Sequence, residues 1–188
     1  MAKHTDNPKE IILSAAKDIA LKDSINKINI RLVAQKSNMA IGSVYNYFPT
    51  KADLLVAVIE DFWTEAFQTI DFKALAHKEF YDKIEEIYYS LYDYLNKFKE
   101  NWLEQISLLS TQEKKLGRKR EAEYFTKMHN MIIALMDKDE TISKHTWKDG
   151  ISKEKTAEFI FNNMLLMLKK GEKDFQFFIN VLKKIMAD

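Results

Sequence analysis

Residues 37–54 place a turn, a very short helix, a proline break and the start of another helix within one stretch of the sequence. Asn38 can adopt the left-handed turn conformation that few residues other than glycine accept. Pro49 pushes Phe48 out of helical geometry, so a helix that precedes it ends there. Thr50, with Asp53 three residues later, has the pattern of a capping box and predicts the start of a further helix.

The side chains of this stretch indicate what the short helix contacts. Gly42 has no side chain, so one face of the helix can approach another surface closely. Tyr45 and Tyr47 offer hydroxyl groups, Lys51 offers an ammonium group, and the start of the following helix offers free N–H groups. This combination suits a helix that enters a DNA groove and is anchored at its far end by phosphate contacts. The alternative is a helical hairpin with tyrosines on its rim.

The composition limits the fold class and the compartment. Hydrophobic residues make up 46% of the 188 residues, while only four Gly and two Pro occur, which disfavours a β protein with many turns. The absence of Cys excludes disulfides, thiolate zinc sites and cysteine nucleophiles. No apolar run approaches the roughly 20 residues of a membrane span, and the N-terminus lacks an apolar signal segment. We therefore expect a cytoplasmic protein with no membrane partner.

The charges are distributed unevenly along the chain. Residues 1–51 hold eight Lys or Arg and four Asp or Glu, for a net charge of +4, and the remainder carries −3. A basic segment attached to a mildly acidic body is the outline of a nucleic-acid-binding module joined to another domain. Taken alone, this feature is also compatible with ordinary solvated helix faces.

Apolar periodicity predicts an all-α protein of about nine helices. The first runs from Pro8, capped by Asn7, to about Lys22, and Asn29 caps the second. The third is the short helix from about Ala40 to Phe48, and the fourth starts at Thr50. Five further helices are centred on residues 84–95, 102–109, 122–135, 157–168 and 175–185, with a polar loop over 137–150. Gly171 is expected to end the eighth helix. Three short helices with a turn between the last two give a helix-turn-helix layout.

These ordered motifs resemble the TetR family of bacterial transcriptional repressors. The resemblance rests on Ala15-Ala16, Val33-Ala34, the turn Ser37-Asn38-Met39-Ala40, the helix Gly42-Ser43-Val44-Tyr45-Asn46-Tyr47-Phe48 and the start Thr50-Lys51-Ala52-Asp53-Leu54-Leu55. It covers the N-terminal quarter to third of the chain. Ser24 and Asn38 stand where the family has glycine, and Ala40 replaces a serine, so the third helix lacks a side-chain cap. The resemblance implies a DNA-binding domain over 1–50 and a helical effector-binding and dimerisation domain over 51–188.

The resemblance also implies roles for individual residues. Residues at the start of the third helix would face base edges in a major groove, and Tyr45, Tyr47 and Lys51 would contact phosphates. Arg31 is the candidate for direct base readout, with a phosphate contact or a solvated side chain as alternatives. The full predicted DNA-binding set is Asn29, Arg31, Ala40, Ile41, Gly42, Ser43, Tyr45, Asn46, Tyr47 and Lys51.

A repressor of this family would act as a homodimer on a palindromic operator and would be released by a small molecule. The resemblance places dimerisation on the last two helices, where the predicted interface is Phe161, Met164, Leu165, Leu168, Phe178, Leu182 and Ile185. A pocket for an apolar or amphipathic effector would be lined by Phe62, Phe67, Tyr88, Tyr92, Trp102, Met128, Met131 and Met164. Packing within the chain's own core is the alternative for both sets.

Two other functions compete with this interpretation. A helical bundle could hold a carboxylate-bridged metal pair, but none of the four histidines has a Glu three residues before it. No Gly-rich phosphate loop or nucleophile elbow occurs either, so we expect neither catalysis nor a cofactor. The second competitor is a helical small-molecule or partner-binding protein without sequence-specific DNA binding.

Overall fold

Helices account for the regular structure in the computed structural model of the protein, which describes residues 7–97, 111–143, 147 and 151–186. The helices are α1 Pro8–Lys22, a 3₁₀ turn Ile25–Lys27, α2 Ile30–Lys36, α3 Ile41–Tyr47, α4 Lys51–Gln68, α5 Phe72–Leu75, α6 Phe80–Leu95, α7 Thr111–Lys138, α8 Glu140–Ser143, α9 Lys153–Lys169 and α10 Gln176–Ile185. The predicted all-α fold is confirmed. Within the described ranges, no helix has the length and apolar character that crossing a bilayer requires.

The chain divides into two compact units. The first consists of residues 1–64 and 98–122, and the second of residues 65–97 and 123–188. Helices α4 and α7 therefore each contribute to both units. The predicted domain boundary after residue 50 stays a prediction.

Short helices of the first unit are stabilised by packing and by specific caps. Helix α1 packs against α2 and the 3₁₀ turn, and α2 packs against α3. These contacts bury Ile12, Val33 and Val44. Seven-residue helices such as α2 and α3 are too short to be stable alone, so they depend on this packing. The predicted caps are confirmed, since the Asn7 side chain accepts from Lys9 N at 3.1 Å and the Asn29 side chain from Leu32 N at 2.9 Å.

In the second unit, α6 packs against α9 and α10. Helix α6 buries a broad apolar stripe that includes Phe80, Ile84, Ile87 and Leu91. As predicted, Gly171 ends α9, with a φ of +63°. The N–H of Glu172 donates to the carbonyl of Met167 at 3.0 Å and the N–H of Gly171 to that of Leu168 at 3.1 Å, which together form a Schellman motif.

The polar loop predicted over 137–150 is partly wrong. Helix α7 continues to Lys138, and residues 140–143 form the short helix α8. The Asp139 side chain caps this region, because its carboxylate accepts from Ile142 N at 3.1 Å and from Phe80 N at 2.8 Å. Only the second of these bonds is long-range, so local sequence could not indicate it. The predicted helix at 102–109 lies outside the described residues.

Candidate nucleic-acid interface

The turn between α2 and α3 is a second Schellman motif, built without glycine. Asn38 occupies the left-handed position with a φ of +55°. The N–H of Met39 donates to the carbonyl of Ala34 at 2.9 Å, and the N–H of Asn38 donates to that of Gln35 at 3.2 Å. The expectation that Asn38 takes the left-handed conformation is therefore confirmed, and the turn sets the direction in which α3 starts.

Helix α3 presents most of its surface to solvent. Val44 is buried, and Phe48 is buried immediately after the helix, so these two side chains pack α3 into the first unit. Ile41, Tyr45, Asn46 and Tyr47 are exposed, and Ser43 is half-buried. Tyr45 and Tyr47 keep 48% and 41% of their surface accessible, which is high for aromatic rings. Their hydroxyl groups are thus available to a polar partner.

The N-terminal end of α3 is open. Ala40 occupies the N-cap position and makes no side-chain capping bond, as the sequence predicts. A Cβ atom placed on Gly42 would meet no atom of the described residues within 4 Å. The absence of a side chain at Gly42 is therefore not needed for packing inside the chain, and it leaves room for the close approach of an external surface.

Helix α4 begins directly beyond the proline break with a complete capping box. Thr50 Oγ1 accepts from Asp53 N at 3.1 Å, and Asp53 Oδ2 accepts from Thr50 N at 3.0 Å. The Thr50 hydroxyl also donates to Asp53 Oδ2 at 2.7 Å. This arrangement confirms the predicted capping box and fixes Lys51, which is exposed, at the first position of the helix.

Two further predicted residues lie at the start of α2. Asn29 is the N-cap, and Arg31 follows in the first turn with its side chain exposed. Helix α2 packs against α3, and both helices and the start of α4 belong to the first unit. Lys9, which the sequence analysis did not select, lies 6.0 Å from the centroid of the Phe48 ring. Its cation–π contact could not be inferred from sequence spacing, since the two residues are far apart in the chain.

The residues predicted to line an effector pocket are mostly packed inside the protein. Phe62, Tyr88, Met128 and Met164 are buried. Phe67, Tyr92 and Met131 are half-buried, and Trp102 lies outside the described residues. Phe62 belongs to the first unit and the other six described residues to the second. Their role in ligand binding stays a prediction.

Tyr88 has a structural role that the sequence did not reveal. Its ring stacks on Phe175 with centroids 4.0 Å apart and planes 7° from parallel, and its hydroxyl donates to the carbonyl of Glu172. Tyr92 OH lies 3.5 Å from the carbonyl of Gly171. Burial, followed by the Glu172 carboxylate, raises the pKa of the Tyr88 hydroxyl above its ordinary value of 10.0. The two tyrosines of α6 therefore contact the segment that connects α9 to α10 and hold it against α6.

A cavity of about 220 Å³ lies beside the first turns of α9 and the end of α10. Its lining contains none of the predicted effector-binding residues and includes one predicted interface residue, Ile185. The lining residues are Ile151, Lys155, Thr156, Phe159 and Ile185.

The predicted dimer-interface residues also lie largely within the chain's own core. Met164, Leu168, Phe178 and Leu182 are buried, Phe161 and Leu165 are half-buried, and Ile185 is exposed. Other apolar side chains of the same two helices are exposed instead, namely Phe159, Leu166 and Phe177, the last at 75%. Apolar residues occupy both faces of α9 and α10, so periodicity alone could not separate the inner face from the outer one. Their part in an interface stays a prediction.

Comparison with known families places this geometry in context. Residues 12–58 match the model of the family described as "Bacterial regulatory proteins, tetR family". The HTH-type transcriptional repressor KstR of Mycolicibacterium smegmatis is 40% identical over 48 residues, which cover 26% of this chain and 24% of KstR. The chain thus spans about a quarter of the length of the curated relatives it matches.

Solved structures match over nearly the whole chain. BioQ, crystallised with its natural double-stranded DNA operator, matches with a TM-score of 0.63 at 18% identity, over 95% of this chain and 97% of BioQ. The multidrug binding protein EbrR, complexed with imidazole, matches with a TM-score of 0.67 at 18% identity, over 98% of this chain and 97% of EbrR. At these identities the likeness shows a shared fold.

Proposed function

We propose that this chain, which belongs to the TetR family of bacterial regulatory proteins through its N-terminal domain, is a ligand-responsive transcriptional regulator. It binds a palindromic double-stranded DNA operator as a homodimer, and an apolar or amphipathic small molecule releases it. Repression is the mode of action that the KstR relatives favour. The function requires the compartment that holds bacterial DNA, so we place the protein in the cytoplasm.

One observation carries the proposal, namely the outward surface of α3 together with the capped start of α4. Val44 packs this seven-residue helix into the fold, whereas its two exposed tyrosines and its unobstructed glycine are not part of the core. The same features suit a helix in the major groove, where small residues approach base edges and hydroxyl groups reach phosphates. Lys51 at the first turn of α4 adds a positive charge to N–H groups that already favour an anion.

The relatives support the same interpretation. The segment that matches the family model, residues 12–58, contains α2, α3 and the start of α4, so this match includes the proposed DNA-binding surface. BioQ, which has the same fold, was solved on its operator. By analogy, Ala40 to Ser43 face base edges, Arg31 reads a base, Tyr45, Tyr47 and Lys51 contact phosphates, and Asn29 and Asn46 lie at the same surface.

A homodimer is supported by the distribution of exposed apolar side chains in the second unit. Among the exposed large apolar side chains of the described second unit, Phe72 lies on α5. The others belong to α9, α10 and the residues just before α9, namely Ile151, Phe159, Leu166, Phe177 and Ile185. A second copy would remove these side chains from water, and two recognition helices related by a two-fold axis would match a palindrome. The exposed set shares Ile185 with the interface predicted from sequence and otherwise consists of different residues of α9, α10 and the segment before α9.

An effector is supported by the aromatic and methionine content of the second unit. Phe67, Tyr92 and Met131 are half-buried there, so part of each side chain is accessible to a ligand. EbrR, of the same fold, is a multidrug binding protein. The effector would act through its different affinities for DNA-competent and DNA-incompetent shapes of the dimer.

The test is binding of the purified protein to DNA fragments from the genomic neighbourhood of its own gene, at two salt concentrations. We expect a footprinted palindrome whose affinity falls steeply with salt. Lys51→Ala should reduce the slope of log affinity against log salt by about 0.9, the value for one phosphate contact. Tyr47→Phe should weaken binding by about two- to tenfold, the range of one hydrogen bond.

Matched controls separate contact from net charge. Lys73→Ala removes the same charge from the exposed surface of α5, and Tyr89→Phe removes a hydroxyl from α6, so neither variant should lower the affinity as much. Binding that is absent, or indifferent to sequence at both salt concentrations, would refute the regulator. It would favour a helical small-molecule or partner-binding protein instead.

A further inference from the structure

A short ion pair joins the first helix of the DNA-binding module to α4. Lys17 Nζ lies 2.5 Å from Asp61 Oδ2, and the two side chains keep 19% and 32% of their surface accessible. Such partial burial reduces solvent screening relative to a fully exposed pair. The pair lies within the first unit and connects α1, which packs against α2, to a helix whose first residue is Lys51.

This placement links the two halves of the proposed DNA-contact surface. The base-facing half is α3, which is held by α2 and through it by α1. The phosphate-contacting half is the start of α4, and Asp61 lies ten residues after Lys51, about 15 Å along the helix axis. An anchor at Asp61 thus acts at a distance from the DNA and restrains the direction of α4 relative to α1.

We propose that the Lys17–Asp61 ion pair is a positioning contact for operator binding. It holds α4 against α1 so that Lys51 meets its phosphate while α3 lies in the groove. Neither side chain touches DNA in this proposal. The inference rests on the proposed function, because it concerns the same DNA-binding surface.

A neighbouring pair supplies a matched control. Lys36 Nζ lies 3.4 Å from Asp18 Oδ2, so this pair joins α1 to α2 and does not involve α4. Asp18→Asn and Asp61→Asn remove the same charge from the same unit. Loss of an acid ordinarily strengthens the attraction of a protein for DNA through net charge.

The experiment measures the affinity of each variant for a duplex that contains the footprinted palindrome. We expect Asp61→Asn to bind about two- to fivefold more weakly than the unmodified protein, which is the range that ion pairs near a surface supply. Asp18→Asn should bind at least as tightly as the unmodified protein. The double variant Lys17→Asp/Asp61→Lys, which keeps the net charge and rebuilds the pair in reverse, should restore most of the affinity.

A second readout distinguishes positioning from a merely structural role. If Asp61 positions Lys51, Lys51→Ala should cost less affinity in the Asp61→Asn background than in the unmodified protein. A purely structural role would lower the unfolding temperature and leave the cost of Lys51→Ala unchanged. Should Asp61→Asn not fold, Lys17→Gln compared with Lys36→Gln makes the same comparison with the opposite charge change.

The inference is overturned if Asp61→Asn binds as tightly as Asp18→Asn, or if the reversed pair folds but does not recover affinity. These outcomes differ from failure of the proposed function, in which the unmodified protein itself shows no salt-dependent binding to any fragment.

Discussion

The first and second units both expose aromatic side chains, but the chemistry of those side chains differs. On α3 the exposed rings are Tyr45 and Tyr47, which carry hydroxyl groups. On α9 and α10 they are Phe159 and Phe177, which carry no polar atom. A tyrosine suits a wet, charged partner such as a phosphate backbone, whereas a phenylalanine is stabilised by a dry contact. The contrast supports the proposed DNA contact at α3 and the proposed contact with a second copy of the chain at α9 and α10.

The largest expected effect is on stability, and it distinguishes the buried Phe175 from the exposed Phe177 of the second unit. Phe175 is fully buried against Tyr88, so Phe175→Ala should lower the free energy of unfolding by about 3–5 kcal/mol. Phe177→Ala, two residues later, should change the stability of the monomer by less than about 0.5 kcal/mol and weaken the dimer. Urea unfolding and sedimentation at several protein concentrations measure the two effects. If Phe177→Ala associates as strongly as the unmodified protein, the proposed contact of α10 with a second copy is wrong.

The next effect concerns the tyrosine-bearing surface and its specificity. If Arg31 reads a base, Arg31→Ala should cost about 1–3 kcal/mol of discrimination at one operator position. Lys51→Ala should instead weaken binding to all sequences alike. Affinities measured on a panel of operators with single base-pair changes test this difference. A uniform loss for Arg31→Ala would reassign Arg31 to a phosphate.

The smallest effect tests whether Tyr88 belongs to the core or to a binding site. Tyr88→Phe removes the hydrogen bond to the Glu172 carbonyl and should cost about 1 kcal/mol of stability near neutral pH. Because folding raises the pKa of this hydroxyl, its stabilising contribution is complete below the ordinary value of 10.0 and is lost as the pH rises above it. The stability advantage of the unmodified protein over Tyr88→Phe should therefore shrink between about pH 8 and about pH 11. Urea unfolding of both proteins at both pH values measures this difference in stability. A difference that does not change with pH would contradict the buried, hydrogen-bonded environment of the Tyr88 hydroxyl.

The N-terminal helix-turn-helix was predictable because its determinants are local. Asn29 caps α2, Asn38 takes the left-handed turn and Thr50 with Asp53 closes a capping box, and each interaction spans five residues or fewer. Such side chain–backbone patterns depend little on the rest of the chain. The residue types at the surface of α3 could also be predicted, since a helix held by Val44 and Phe48 must turn its other residues outward.

The second unit was less predictable because long-range contacts decide its details. The sequence did not indicate that Phe175 and Glu172, more than eighty positions after Tyr88, contact its ring and its hydroxyl, and the ligand-binding role of Tyr88 stays a prediction. Phe177 and Phe178 are adjacent, and only the packing of α10 on α6 shows which of them faces inward. The polar sequence of residues 137–150 predicts a loop, whereas residues 137–138 continue α7 as a helix.

The empty space around Gly42 means that stability and the proposed DNA contact impose opposite demands at this position. Nothing in the described chain would collide with an alanine there, and alanine is favoured over glycine inside a helix by about 1 kcal/mol. Selection for thermal robustness alone would thus replace the glycine, whereas selection for close approach to a base pair would retain it. A laboratory lineage selected for stability without its operator should therefore exchange Gly42 for alanine.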